Sequence, residues 1–132
     1  MPPKPIRDAE VTFLVGSANL PTQYSVCELD TGTANQVRTP TAASVQPVGV
    51  AQADAVASKE ITVQTAGIAR CIASAAIAIG AFVEIASATG NVRTKAQTAA
   101  GSQPTPIVGQ AITAAAAAGD YIDVLLMIGG QY

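Results

Sequence analysis

The chain contains no histidine and no tryptophan. Without histidine it lacks the commonest general base and the commonest metal ligand, so serine and cysteine hydrolase triads of the usual kind are excluded. Aromatic residues make up 4% of the 132 residues: Phe13, Tyr24, Phe82, Tyr121 and Tyr132. They are too few and too dispersed for a base-stacking platform or a sugar-binding strip, and read as core or interface anchors. Tyr132, at the end of the chain, reads as the most exposed of them and as a candidate partner contact. Charge is also scarce. Charged residues are 12% of the chain, with seven basic and nine acidic side chains scattered singly and a net charge of −2. No positive field is available to collect phosphates, so nucleic acid is not an expected partner.

Long apolar runs are missing too. No window approaches the roughly 18 residues of a membrane span, and no apolar stretch follows the polar, proline-rich start that would read as a signal peptide. Synthesis in the cytoplasm is expected, with no membrane partner. The two cysteines, Cys27 and Cys71, do not form a Cys-x-x-Cys pair, so neither a zinc site nor a thioredoxin-type centre is written here. They read either as buried free thiols or as one disulfide between neighbouring strands. Phosphate-binding loops of the Walker and Gly-x-Gly-x-x-Gly types are absent. The carboxylates (Asp8, Glu10, Glu28, Asp30, Asp54, Glu60, Glu84, Asp120 and Asp123) stand singly, several at turns where Asp is locally useful. The chain therefore reads as a non-enzyme that needs no cofactor or metal.

What is abundant is Ala, Val, Ile, Thr and Ser, which gives a hydrophobic share of 49% with a nearly neutral surface. Such a surface is a hazard for a lone monomer and ordinary where partners cover it, which favours an assembly component. Residues 1–10 carry Pro2, Pro3 and Pro5 and read as an extended arm. Residues 11–132 read as one β-rich domain. Short β-branched runs are cut by turn residues: Val11–Val15, Tyr24–Leu29, Gln36–Arg38, Val45–Val50, Glu60–Thr65, Ile68–Ala73, Ala81–Ala86, Val92–Thr94 and Tyr121–Met127. The fold class expected is all-β, a compact antiparallel barrel or sandwich. It should have at most one or two helical turns, located in the Ala114–Ala118 run, which reads either as such turns or as an irregular connector. Thr89-Gly90-Asn91 suits a hairpin turn, across which Glu84 and Arg93 should pair. Residues 95–104, small and polar without periodicity, read as a surface loop.

A weak internal repeat runs through this order. Gly49 aligns with Gly109, and after one inserted residue Ile61 aligns with Ile122 and Val63 with Val124. Two copies of strand, small-residue crossing and strand are implied.

From Val45 onward the features fall in a recognisable order. They are Pro47-Val-Gly-Val50, Ile61-Thr-Val63, Gly67-Ile68, Ile79-Gly-Ala-Phe-Val-Glu-Ile85 with Gly90, Ile107-Val-Gly-Gln-Ala111, and Ala118-Gly-Asp-Tyr-Ile-Asp-Val124. This set resembles the capsid cement, or head decoration, proteins of tailed bacteriophages. The resemblance implies a small tulip-like β-barrel that associates, commonly as a homotrimer, on the outside of an icosahedral head and ties neighbouring major capsid protein subunits together. It brings no catalytic residues. It makes the arm residues Pro2, Pro3, Lys4, Pro5, Ile6 and Arg7, together with Tyr132, candidate capsid or partner contacts. A tail-tube or fibre domain, and less readily a small ligand-binding barrel, are the alternative readings.

Overall fold

In Glu60-Ile-Thr-Val-Gln-Thr-Ala66, Ile61 and Val63 are buried while Glu60 is exposed and Thr62 half-buried. Successive side chains point to opposite faces of a strand, so this alternation places one side on a core. The computed structural model describes residues 9–42, 45–86 and 88–132. Over these residues the same logic yields strands β1 (Ala9–Val15), β2 (Val26–Leu29), β3 (Gln36–Arg38), β4 (Gly49–Ala51), β5 (Glu60–Ala66), β6 (Ile68–Ile72), β7 (Phe82–Ile85), β8 (Val92–Thr94), β9 (Gly109–Ala111) and β10 (Tyr121–Leu126). Helix is absent among the described residues. β1 begins at Ala9, two residues before the Val11–Val15 run and inside the stretch expected to be an extended arm. β4 is shorter than its apolar run because Pro47 has no N–H to pair, although Val48 still donates to the Cys27 carbonyl.

β1 to β5 close into a barrel in the order β1-β3-β2-β4-β5, and β6 to β10 form a five-stranded sheet in the order β6-β10-β9-β7-β8. Neighbours are antiparallel, except that β1 and β3 run parallel at Leu14↔Gln36 and Val15↔Val37. This pair closes the barrel, joining two strands that β2 separates along the chain.

The two sheets repeat each other strand for strand. Val63 pairs with Val11 and Ala51, and its counterpart Val124 pairs with Ala69 and Ala111. Glu28↔Arg38 in the first half returns as Glu84↔Arg93 in the second. The parallel closure Val15↔Val37 returns as the single bridge Ala73↔Val92. Left-handed turn residues also coincide: Tyr24 (φ 66) with Gly80 (φ 86), Asn35 (φ 60) with Gly90 (φ 81), and Ser58 (φ 60) with Gly119 (φ 90). The repeat read at Gly49 and Gly109 therefore extends from β1 to β10.

Ala114–Ala118 forms an irregular connector. Five alanines are too short a run to offset the cost of nucleating a helix, and tertiary bonds compete for their backbone. Ala115 and Ile77 exchange two backbone hydrogen bonds of 2.9 Å, while the Asp120 carboxylate accepts from the N–H groups of Ala116 and Ala117.

Buried side chains form two clusters. One fills the first barrel with Val15, Cys27, Val37, Ala51, Ile61 and Val63. The other fills the second half and also takes in Val26 and Val50, which point out of the first barrel toward the second half. The halves meet closely there: Val26 donates to the Gly90 carbonyl at 2.9 Å, and a Cβ on Gly90 would stand 2.7 Å from the Val26 oxygen. The buried Gln64 amide donates to the carbonyls of Ala66 and Ile68, tying β5 to the start of β6.

Candidate interaction surfaces

The arm residues Pro2, Pro3, Lys4, Pro5, Ile6 and Arg7 lie outside the described residues. Tyr132 is placed, and it is half-buried rather than freely exposed. Its ring packs on Phe82 with centroids 4.5 Å apart, its N–H donates to the Thr105 carbonyl, and its carbonyl accepts from the Thr98 hydroxyl. Polar groups of the 95–104 loop and its neighbours thus hold the end of the chain, which shields the ring.

The most exposed aromatic residue is Tyr121, at 58%. It starts β10, where Ile122 and Val124 face the core, so Tyr121, Asp123 and Leu125 face outward. The alternation in Tyr121-Ile-Asp-Val124 carried this signal. Ile68, Arg70 and Ile72 of β6 stand opposite Leu125, Asp123 and Tyr121 on the same outer face.

A compact cluster forms there. The rings of Tyr24 and Tyr121 meet edge to face with centroids 5.6 Å apart. The Arg70 guanidinium lies 6.0 Å from the Tyr24 centroid and 5.9 Å from that of Tyr121, and its Nε is 3.8 Å from an Asp123 oxygen. Tyr24 reaches the second half from a left-handed backbone position whose counterpart is Gly80. A side chain in that conformation costs roughly 1–2 kcal/mol. The first half has the same face built of other residues: Glu10, Thr12 and Glu60 stand where Ile68, Arg70 and Tyr121 stand in the second. One fold thus presents a polar face and an aromatic, cationic and aliphatic face at equivalent positions.

Carboxylates gather loosely at an open groove lined by Glu10, Asp54, Lys59 and Glu60 among others. Asp54 is engaged there in accepting the Gln23 N–H at 2.8 Å. Among the described residues, no group of three or more His, Cys, Asp or Glu side chains could hold a metal. The Glu84 and Arg93 side chains pair across the hairpin at 2.7 Å, as their spacing implied.

A family model described as phage cement protein matches residues 22–127. The chain belongs to the phage cement protein family. The matched span runs from just before β2 to just after β10, so the family pattern takes in both halves and omits β1. Membership gives this cement protein a structural, capsid-associated role in the virion. Among solved structures, the N base of the head fibre gp8.5 of bacteriophage phi29 is similar, with a TM-score of 0.67 and 16% identity over 90% of this chain and 95% of that one. That likeness shows a shared fold. Among curated proteins, none matches the sequence significantly.

The cement protein's two cysteines are free thiols, buried in separate clusters. Loss of water around them pushes both up from 9.0 to about 12, with Asp123 adding to the rise at Cys71. The fold thus favours the neutral thiol. The stability this confers is fully present below the unfolded value near 9 and is lost as the pH climbs from there toward 12. Near neutral pH the native protein should resist iodoacetamide, with alkylation rising only across the unfolding transition. Rapid labelling of the native state would contradict this burial.

Proposed function

We propose that the protein is a head decoration protein that binds the exterior of the assembled capsid as a homotrimer and stabilises the shell by bridging neighbouring major capsid protein subunits. The observation that carries this reading is the family match. The composition supports it as well, since a neutral surface can be buried repeatedly and modest contacts add strongly once copies share one shell. On the second half, the outer face around Arg70 and Tyr121 supplies the aromatic and arginine anchors that dominate interfaces. The counterpart face of Thr12 and Glu60 is left to solvent. The arm, with Pro2, Pro3, Lys4, Pro5, Ile6 and Arg7, and the terminal Tyr132 act as further contacts. The prolines limit any strand addition by the arm to the part from about Ile6 onward.

Purified protein is mixed with capsids lacking it, and the particles are imaged and assayed for resistance to heat. Ordered density on the shell and a higher disruption temperature are expected. Tyr121→Ala and Arg70→Ala should each reduce capsid occupancy roughly tenfold at limiting protein, while Thr12→Ala leaves it unchanged. Removal of residues 1–8 should weaken attachment and leave the fold intact. Bare shells with the wild-type protein would defeat the reading.

A further inference from the structure

The chain shows, in the contact between its own halves, what kind of surface its fold accepts. The first half offers Val26, Val50 and Gln64 from the outer side of β2, β4 and β5, and the second half receives them beside the seam between β6 and β8. By register, the counterparts of the offered residues in the second half are Phe82, Gln110 and Leu125. All three are half-buried, covered at Phe82 by Tyr132 alone among the aromatic rings. The counterparts of the receiving residues are in the first half. Ile85, 1% exposed, corresponds to Leu29, which is 49% exposed, and Ala69, also 1% exposed, corresponds to Val11, at 43%. Each molecule thus carries an offering face that its own fold covers only in part and a receiving seam whose Val11 and Leu29 stand exposed.

We infer that these two surfaces meet between copies: the Phe82, Gln110 and Leu125 face of one molecule seats on the seam of the next, at the exposed Val11 and Leu29. The inference rests on the reading above that the protein works self-associated, and it names the contact. A face that meets a different surface on its neighbour is heterologous, and repeating it closes into a homotrimer when each step turns by a third of a circle and otherwise runs on as an open filament.

Side-chain sizes fit a slightly wider version of the internal contact. Asn35 stands where Gly90 allows the halves to touch, and a Cβ at that turn would meet a backbone oxygen at 2.7 Å in the internal geometry. Copies must therefore sit further apart than halves. Three residues at the outer contact are larger to match, Phe82 for Val26, Gln110 for Val50 and Val11 for Ala69, while Leu29 and Leu125 are close in size to Ile85 and Gln64.

The test is the mass of the full chain in solution by sedimentation, for the wild type, Leu29→Asp, Leu125→Asp and an equimolar mixture of the two variants. The wild type is expected as a trimer, and each variant as a monomer with association weakened roughly tenfold or more. The mixture is expected to give a dimer, because each variant supplies the surface that the other has lost. Circular dichroism checks the fold, and Leu29→Ser and Leu125→Ser replace any charged variant that fails to fold. A monomeric wild type, variants that assemble like the wild type, or a mixture that stays monomeric would overturn the inference. So would loss confined to the Leu29 variant, which would mean a seam-to-seam contact. Capsid imaging reads the function separately: a wild-type trimer absent from the shell ends the decoration reading and leaves this contact standing.

Discussion

Replacing Gly109 by alanine should destabilise the fold by about 3 kcal/mol, the upper end of the usual cost of overpacking. A Cβ at this position would stand 2.0 Å from the Leu125 carbonyl oxygen, 2.9 Å from its carbon and 2.9 Å from a Val124 methyl group. The obstacle is the backbone of the paired strand β10, so relief requires moving β9 away and losing part of its ladder to β10 or β7. Gly49 is its counterpart, with a Cβ placed 2.3 Å from the Gln64 oxygen and 2.7 Å from a Val63 methyl group. Gly49→Ala should therefore cost a similar amount. Gly101 provides the contrast. Its φ of +85 makes a side chain unfavourable, but nothing lies within 4 Å of the added Cβ, so Gly101→Ala should cost only about 1 kcal/mol. In thermal unfolding the first two substitutions should lower the midpoint by roughly 10 °C or more, and the third by a few degrees. A Gly109→Ala variant as stable as Gly101→Ala would show that β9 and β10 are not held at this distance.

That glycine pair also shows what the sequence carried and what it did not. Gly49 and Gly109 could be aligned because the close approach tolerates only glycine, and Ile61 with Ile122 because each must reach a core. The hairpin of β7 and β8 was legible for a local reason: its turn residues and the Glu84 and Arg93 pair lie within ten residues of one another. The parallel pairing of β1 with β3 was not legible, since nothing local records which strands meet when a barrel closes. Nor was the contact between halves. Alternation assigns Val26 and Glu28 to the outer face of β2, yet both are buried, as is Cys27 on the inner face, because the other half or a neighbouring ion partner covers that outer face. Gln64 is hidden for the same reason. On the interaction surface, the exposed ring is that of Tyr121 and not that of the terminal Tyr132, because strand alternation and not position in the chain decides exposure. Arg70 and Tyr24 come together only through the packing of the halves, so no spacing could announce them.

The repeat places one ion pair in two environments, and removing its arginine in each should separate burial from geometry. Arg38 Nε lies 2.7 Å from a Glu28 oxygen, and Arg93 Nε lies 2.7 Å from a Glu84 oxygen. The side chains of Arg38 and Glu28 are 26% and 7% exposed, whereas those of Arg93 and Glu84 are 48% and 14% exposed. A buried carboxylate that loses its partner is left with little water to replace it, so Arg38→Ala should cost about 3 kcal/mol. Asp30, 3.7 Å from the Arg38 guanidinium, also loses its cation and adds to the repulsion at that end of β2. Arg93→Ala should cost less than about 1 kcal/mol, because water reaches the arginine and already screens the pair. Raising the salt concentration should shrink the Arg93 effect further and leave most of the Arg38 effect in place. Adding Glu28→Gln to Arg38→Ala should recover part of the loss, since an uncharged amide is cheaper to bury than a carboxylate. Urea unfolding of the single and double variants measures each difference. Because distance and register are the same in both pairs, equal losses at Arg38 and Arg93 would mean that burial is not what sets the strength of the pair.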